Sequence, residues 1–137
     1  MFTVLADGPS GLGLRLVGGF WVVAGFLSGD CVGVDEVLGI ARGTATVEFG
    51  GGAGETVELQ AGDVAILPAG TGHRRLSCSR DLLVVGAYPA DGCVDQHRPA
   101  QVSHDKAVAD VAKTPLPQQD PMFGSDGPLK ALWKLRA

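Results

Sequence analysis

Apolar and polar positions in this chain form short runs, each cut off by glycine or proline, which is the pattern of strands joined by tight turns. Phe20 to Leu27, rich in aromatic and β-branched residues, predicts a buried strand. Glu36 to Ala41 and Thr44 to Phe49 predict two more, with Arg42-Gly43 as the tight connection. In the second, Thr44, Thr46 and Glu48 alternate with Ala45, Val47 and Phe49, so one face is wet and the other packed. Gly50 to Gly54 forms a hairpin tip and Thr56 to Leu59 the returning strand. After the turn Ala61-Gly62-Asp63, the run Val64 to Leu67 lacks polar alternation and predicts a strand buried on both faces. Arg74 to Ser77 and Leu82 to Tyr88 complete the series.

Beyond Pro89 the texture changes. Pro89, Pro99, Pro115, Pro117, Pro121 and Pro128 predict an extended, looped tail. Ser103 to Ala112 is the exception: Ser103 caps a short helix whose apolar residues Ala107, Val108, Val111 and Ala112 recur at helical spacing. Leu129, Leu132, Trp133 and Leu135 are bulky enough to dock on the sheet. The tail therefore reads as a C-terminal extension, 89–137, packed on a core of about 20–88 within one domain, 1–137.

Composition narrows the class. The chain has 137 residues, 45% of them apolar and 19% charged, enough for one globular domain with a core of its own. Its 21 glycines and eight prolines suit many strands and turns and disfavour a helix bundle, so the expected class is all-β. A net charge of −4 without any basic run argues against a nucleic-acid partner. The apolar stretch 11–28 is interrupted by glycines and by Arg15 and follows no basic region, so neither a membrane span nor a signal segment is expected. Cys31, Cys78 and Cys93 are an odd set at irregular spacing, which points to reduced thiols and a cytoplasmic setting.

One segment carries candidate chemistry. From Gly62, five residues lead to Pro68, one more to Gly70, and two more to His73. This spacing resembles the second sequence motif of the cupins. Glu36 and, after six intervening residues, Gly43 resemble the end of the first cupin motif. Further features, from the run Glu36 to Gly43 through Tyr88-Pro89, Arg98-Pro99 and Asp120-Pro121-Met122-Phe123-Gly124 to Gly127-Pro128-Leu129 and Trp133, resemble the YjlB-type cupins, a bacterial subfamily without an assigned reaction. The resemblance implies a double-stranded β-helix, the jelly-roll barrel, with a loop-rich C-terminal tail holding one short helix. It also implies a homodimer, for which Phe20 to Leu27 is apolar enough to serve as an interface strand.

The family binds a divalent metal through three histidines and one glutamate. Where the resemblance places its paired histidines this chain has Gly29 and Cys31, and Asp35 stands where the subfamily often adds another histidine. Glu36 and His73 remain. On a strand Gly29 and Cys31 share a face, so Cys31, Glu36 and His73 form a candidate three-ligand set, with Asp35 as a spare oxygen. Thiolate, imidazole and carboxylate suit zinc, nickel, iron or manganese better than magnesium or calcium.

Each residue also has a plainer reading. Cys31 is equally a small buried apolar group, His73 a hydrogen-bonded histidine, and Glu36 a carboxylate paired with Arg42, Arg74 or Arg75. His97 and His104 read as solvated, and Trp21 and Trp133 as packing residues. Two function classes follow. The first is a small-molecule-binding barrel whose degenerate metal site is weak or empty. The second is a metal-dependent dioxygenase, isomerase or hydrolase using Cys31, Glu36 and His73.

Overall fold

The computed structural model describes the backbone of residues 15–17, 20–24, 28–31, 35–89, 96–97 and 103–133, and the side chains of 35–89, 103–129 and 131–133. In order, the chain forms β1 (Arg15–Val17), β2 (Phe20–Ala24), β3 (Ser28–Cys31), β4 (Glu36–Arg42), β5 (Thr44–Phe49), a 3₁₀ turn (Gly51–Ala53), β6 (Glu55–Gln60), β7 (Val64–Leu67), β8 (Gly72–Cys78), β9 (Leu83–Pro89), β10 (Gln96–His97), α1 (His104–Lys113) and α2 (Leu129–Trp133). The strands build two five-stranded antiparallel sheets, ordered β1-β2-β9-β4-β7 and β10-β3-β8-β5-β6. From β2 onward the chain crosses from one sheet to the other at every step except the β5–β6 hairpin, which is the winding of a jelly roll. The sheets are joined by packing, since no hydrogen-bonded ladder among the described residues closes them into a continuous barrel.

That packing is apolar. Leu38, Ile40, Leu67 and Val84 of the first sheet meet Ala45, Val47 and Leu59 of the second, and Val47 is fully buried. Each set sits on alternate positions of its strand, so the period-two pattern in the sequence becomes the inner face of each sheet. On the usual scale of about 25 cal/mol per Å² of apolar surface removed from water, this cluster is what holds the two sheets face to face.

Several sequence expectations change. Val64 to Leu67 is a strand, but β7 lies at a sheet edge and only Leu67 is buried, because its outer side has no neighbouring strand. The stretch from Phe20 yields a shorter strand, β2, paired with β9 along its length and with β1 at Phe20–Val22; 25–27 lie outside the described residues. β1, β3 and β10, of three, four and two residues, are too short to announce themselves by alternation. The expected single helix in the tail has a companion in α2, where Leu129 is buried while Leu132 stays exposed. Leu135 is outside the described residues.

Helix α1 forms as expected, with the Ser103 hydroxyl accepting the Lys106 N–H at 3.4 Å. Asp105 in the first turn and Lys113 in the last complement the helix dipole. The segment leading to α2 is organised by a buried carboxylate. Asp120 accepts N–H bonds from Met122 (2.8 Å), Phe123 (3.0 Å) and Leu129 (3.1 Å), and its backbone exchanges two bonds with Gly124. Burial pushes this carboxyl upward, but the three N–H bonds outweigh it, so Asp120 titrates below its ordinary value of 3.8.

Two predictions follow from these turns. Gly43 links β4 to β5 at φ 80°, and a Cβ there would meet the Ser79 hydroxyl and the Leu82 Cα, the latter at 2.9 Å. Gly43→Ala should therefore lose about 1–3 kcal/mol in chemical denaturation, and an unchanged midpoint would show that the corner is not constrained. The depressed Asp120 carboxyl contributes stability that is complete above pH 3.8 and disappears as pH falls through its lower folded value. Acid titration of Trp133 fluorescence should show that transition, and Asp120→Asn should abolish it.

Candidate functional site

Alternation places three polar side chains inside the sandwich. Glu36 lies on the same face of β4 as Leu38 and Ile40, both core residues, and is only 2% exposed. On β9, Tyr88 shares a face with core residue Val84 in the same way. Across the gap, β8 presents His73, whose Cα partners are Phe49 on β5 and Gly29 on β3. The Tyr88 hydroxyl donates to Glu36 Oε1 at 2.5 Å, and Glu36 Oε2 stands 3.7 Å from His73 Nδ1. One carboxylate of the first sheet thus meets a phenol of its own sheet and an imidazole of the other.

The turn before β8 sets the position of the imidazole. Thr71 N–H bonds to the Pro68 carbonyl at 3.0 Å, with Gly70 third in the turn at φ 81°, the geometry of a type II turn that only glycine adopts without strain. Asp35, just before β4, accepts the Ala69 N–H at 2.8 Å. A bond between the Gly50 N–H and the Gly72 carbonyl (2.7 Å) draws Gly72 and His73 into β8 and out of the turn. The residue preceding Glu36 is therefore tied to the turn preceding His73, and this fixes the approach of the two groups.

The sequence candidates are distributed unevenly. Glu36 and His73 come together. Cys31 lies on β3 with Gln96 as its Cα partner, and its side chain is outside the described residues. Gly29 is opposite His73, so the position facing the imidazole has no side chain to offer. Asp35 is not a loose oxygen ligand, since one of its oxygens clamps the turn. Arg42 and Arg74 do not serve Glu36: Arg42 Nε donates to the Asp81 carbonyl and Arg74 pairs with Glu48 at 3.3 Å. Arg75 is exposed, as is His104. The site residue missed by sequence reasoning is Tyr88. Its place on the inner face of a predicted strand, as the only tyrosine in the chain, was the available signal.

His73 is the chemically unfinished member. Its side chain has no solvent exposure, yet neither ring nitrogen has a hydrogen-bond partner. Buried polar atoms of this kind normally find a partner, because leaving one unmade costs about 1–3 kcal/mol. Phe49 stands beside the ring at a centroid distance of 6.4 Å and contributes no polar group.

A metal is the partner that the cupin pattern implies, and the described donors do not fit that centre. Among the described residues no three or more of His, Cys, Asp and Glu gather around a common point. Glu36 and His73 are two of four expected positions, and one Glu36 oxygen is engaged by Tyr88. A groove of about 670 Å³, lined by Thr44, Glu58, Asp63, Ser77 and Cys78 among others, lies at the opposite end of β5 from Phe49 and contains none of these groups. No helix among the described residues is long and apolar enough to cross a membrane.

Two facing antiparallel sheets wound as a jelly roll, with a glutamate and a histidine meeting between them, define a cupin-type protein. The particular likeness is to the uncharacterized protein YjlB of Bacillus subtilis (strain 168): 37% identity over 98 residues, covering 72% of this chain and 59% of that protein. The chain is thus YjlB-like and spans less than two thirds of that relative's length. No family model matches. Among solved structures, a cupin-2 domain containing protein from Shewanella frigidimarina is 20% identical, with 60% of this chain and 84% of that one covered at a TM-score of 0.45. A cupin protein from Bacteroides fragilis is 18% identical, with 64% and 79% covered at 0.43. At those scores the likeness adds nothing to the strand order and register seen directly.

The Tyr88 bond generates a prediction. Tyr88→Phe removes the donor to a buried carboxylate and should destabilise the protein by about 1–3 kcal/mol in urea denaturation. A variant as stable as the parent would show that the phenol contributes only its ring.

Proposed function

We propose that this chain is a small-molecule-binding cupin barrel whose interior ligand is held by His73 and Glu36, with Tyr88 fixing the carboxylate, and whose affinity for divalent metal is weak or absent. The observation that carries this reading is the fully buried imidazole with two unpartnered nitrogens. Such a group is ready to accept a hydrogen bond at one nitrogen and donate at the other, and the residue paired with it on β3 is a glycine, with no side chain to compete. A ligand oxygen or nitrogen placed there would complete the hydrogen bonding that the protein leaves open. The apolar cluster below and Phe49 beside the ring would exclude water from the remainder of the ligand.

If a metal were held at all, Glu36 and His73 would be the ligands in reach, with Cys31 as the third member of the set. It would supply Lewis acidity toward a bound oxygen. Neither a reaction nor a substrate follows from two such donors.

The test combines metal analysis with binding. Protein purified without chelator should hold transition metal well below one equivalent. In a thermal-shift panel of sugars, amino acids and 2-oxo acids, at least one compound should raise the melting temperature of the parent protein and not of His73→Ala. A tightly held equivalent of metal that is lost on His73→Ala would overturn this reading in favour of the metal-dependent enzyme.

A further inference from the structure

We propose that α1 is a removable cover seated on the Pro68–Gly72 turn, and that its docking and release control access to His73; this rests on the ligand-binding reading above. The seat is specific. A Cβ added at Gly70 would lie 2.6 Å from Val111 Cγ2, so the absence of a side chain at Gly70 is what lets the helix approach the turn so closely. Gly70 stands three residues before His73, and the opposite flank of the same turn is held by the Asp35 carboxylate through the Ala69 N–H. The turn that delivers the imidazole is therefore gripped from one side by the start of β4 and from the other by α1.

The two grips differ in strength. Asp35 and Ala69 are both buried, Asp35 just before β4 and Ala69 within the turn. Helix α1 has no buried residue: Ala107, Asp110 and Val111 form a half-buried stripe, and the rest is exposed. A helix of ten residues is not stable by itself in water, so α1 persists through its cap, its Lys106–Asp110 pair and this light docking. An element held so lightly opens at much lower free energy than the sheets beneath it. His73 has no solvent-exposed side-chain surface and two unpartnered nitrogens, so a ligand that reaches it needs some element to move. Of the described elements in contact with the turn, α1 is the one whose movement leaves the core cluster intact.

The experiment follows carbethoxylation of His73 by diethyl pyrocarbonate, read by peptide mass spectrometry, with added free histidine as the reference for reagent activity. Val111→Asp sets a charge against Gly70 and should release α1. Hydrogen exchange should then show loss of protection in 104–113 with β4 and β8 still protected, and His73 should react at least about tenfold faster relative to added free histidine. Release of α1 with no change at His73 would overturn the proposal. If Val111→Asp does not fold, the parent protein decides by native-state exchange. Amides of α1 that open well before those of β8 support the cover, and amides that exchange only together with β4 and β8 overturn it. No ligand enters these measurements, so a barrel that binds nothing in the thermal-shift panel leaves this result standing, and a fixed helix leaves the binding result standing.

Discussion

A carboxylate at 2% exposure within an otherwise apolar sandwich is the constraint around which this structure is arranged. A buried ionised carboxyl is tolerated only where donors reach it. The Tyr88 hydroxyl, from the neighbouring strand of the same sheet, donates to it, and the His73 imidazole of the facing sheet stands 3.7 Å away without a hydrogen bond. Those three strands belong to two sheets that no ladder among the described residues joins, so Glu36 and His73 form a polar contact across the sheet interface. The remaining interior, from Leu38 and Ile40 to Val47 and Val84, is filled with hydrocarbon. One end of the interior is thereby polar and the rest apolar.

That division explains how local geometry serves the site. The type II turn at Pro68–Thr71 needs glycine at its third position, and the same glycine leaves the gap into which Val111 fits. Asp35 spends an oxygen on the turn and so couples the start of β4 to the start of β8. Farther along, Asp120 organises the approach to α2 with three N–H bonds, a task for which a charged acceptor is stronger than a neutral one. In each case an acidic side chain acts on the backbone, whereas Glu36 is met by other side chains.

The chemistry of the interior follows from what is missing as much as from what is present. The residue paired with His73 on β3 is glycine, which has no side chain to act as a ligand. The imidazole beside it has no hydrogen-bond partner on either nitrogen. Fold alone assigns no reaction, since this architecture supports unrelated activities.

The sequence by itself determined the β class, the strands from Glu36 to Tyr88 with errors of a residue or two, the capped helix after Ser103, and the candidacy of Glu36 and His73. These are local properties: period-two alternation, turn glycines, a capping hydroxyl and motif spacing. Only the tertiary structure decided that Tyr88 joins the site, that Arg42 and Arg74 are engaged elsewhere, that β7 is an edge and that β2 is not. The reason is physical. Which strand lies beside which, and how one register faces another, depends on pairings between residues dozens of positions apart, and the alternation within a single strand contains no record of its neighbours.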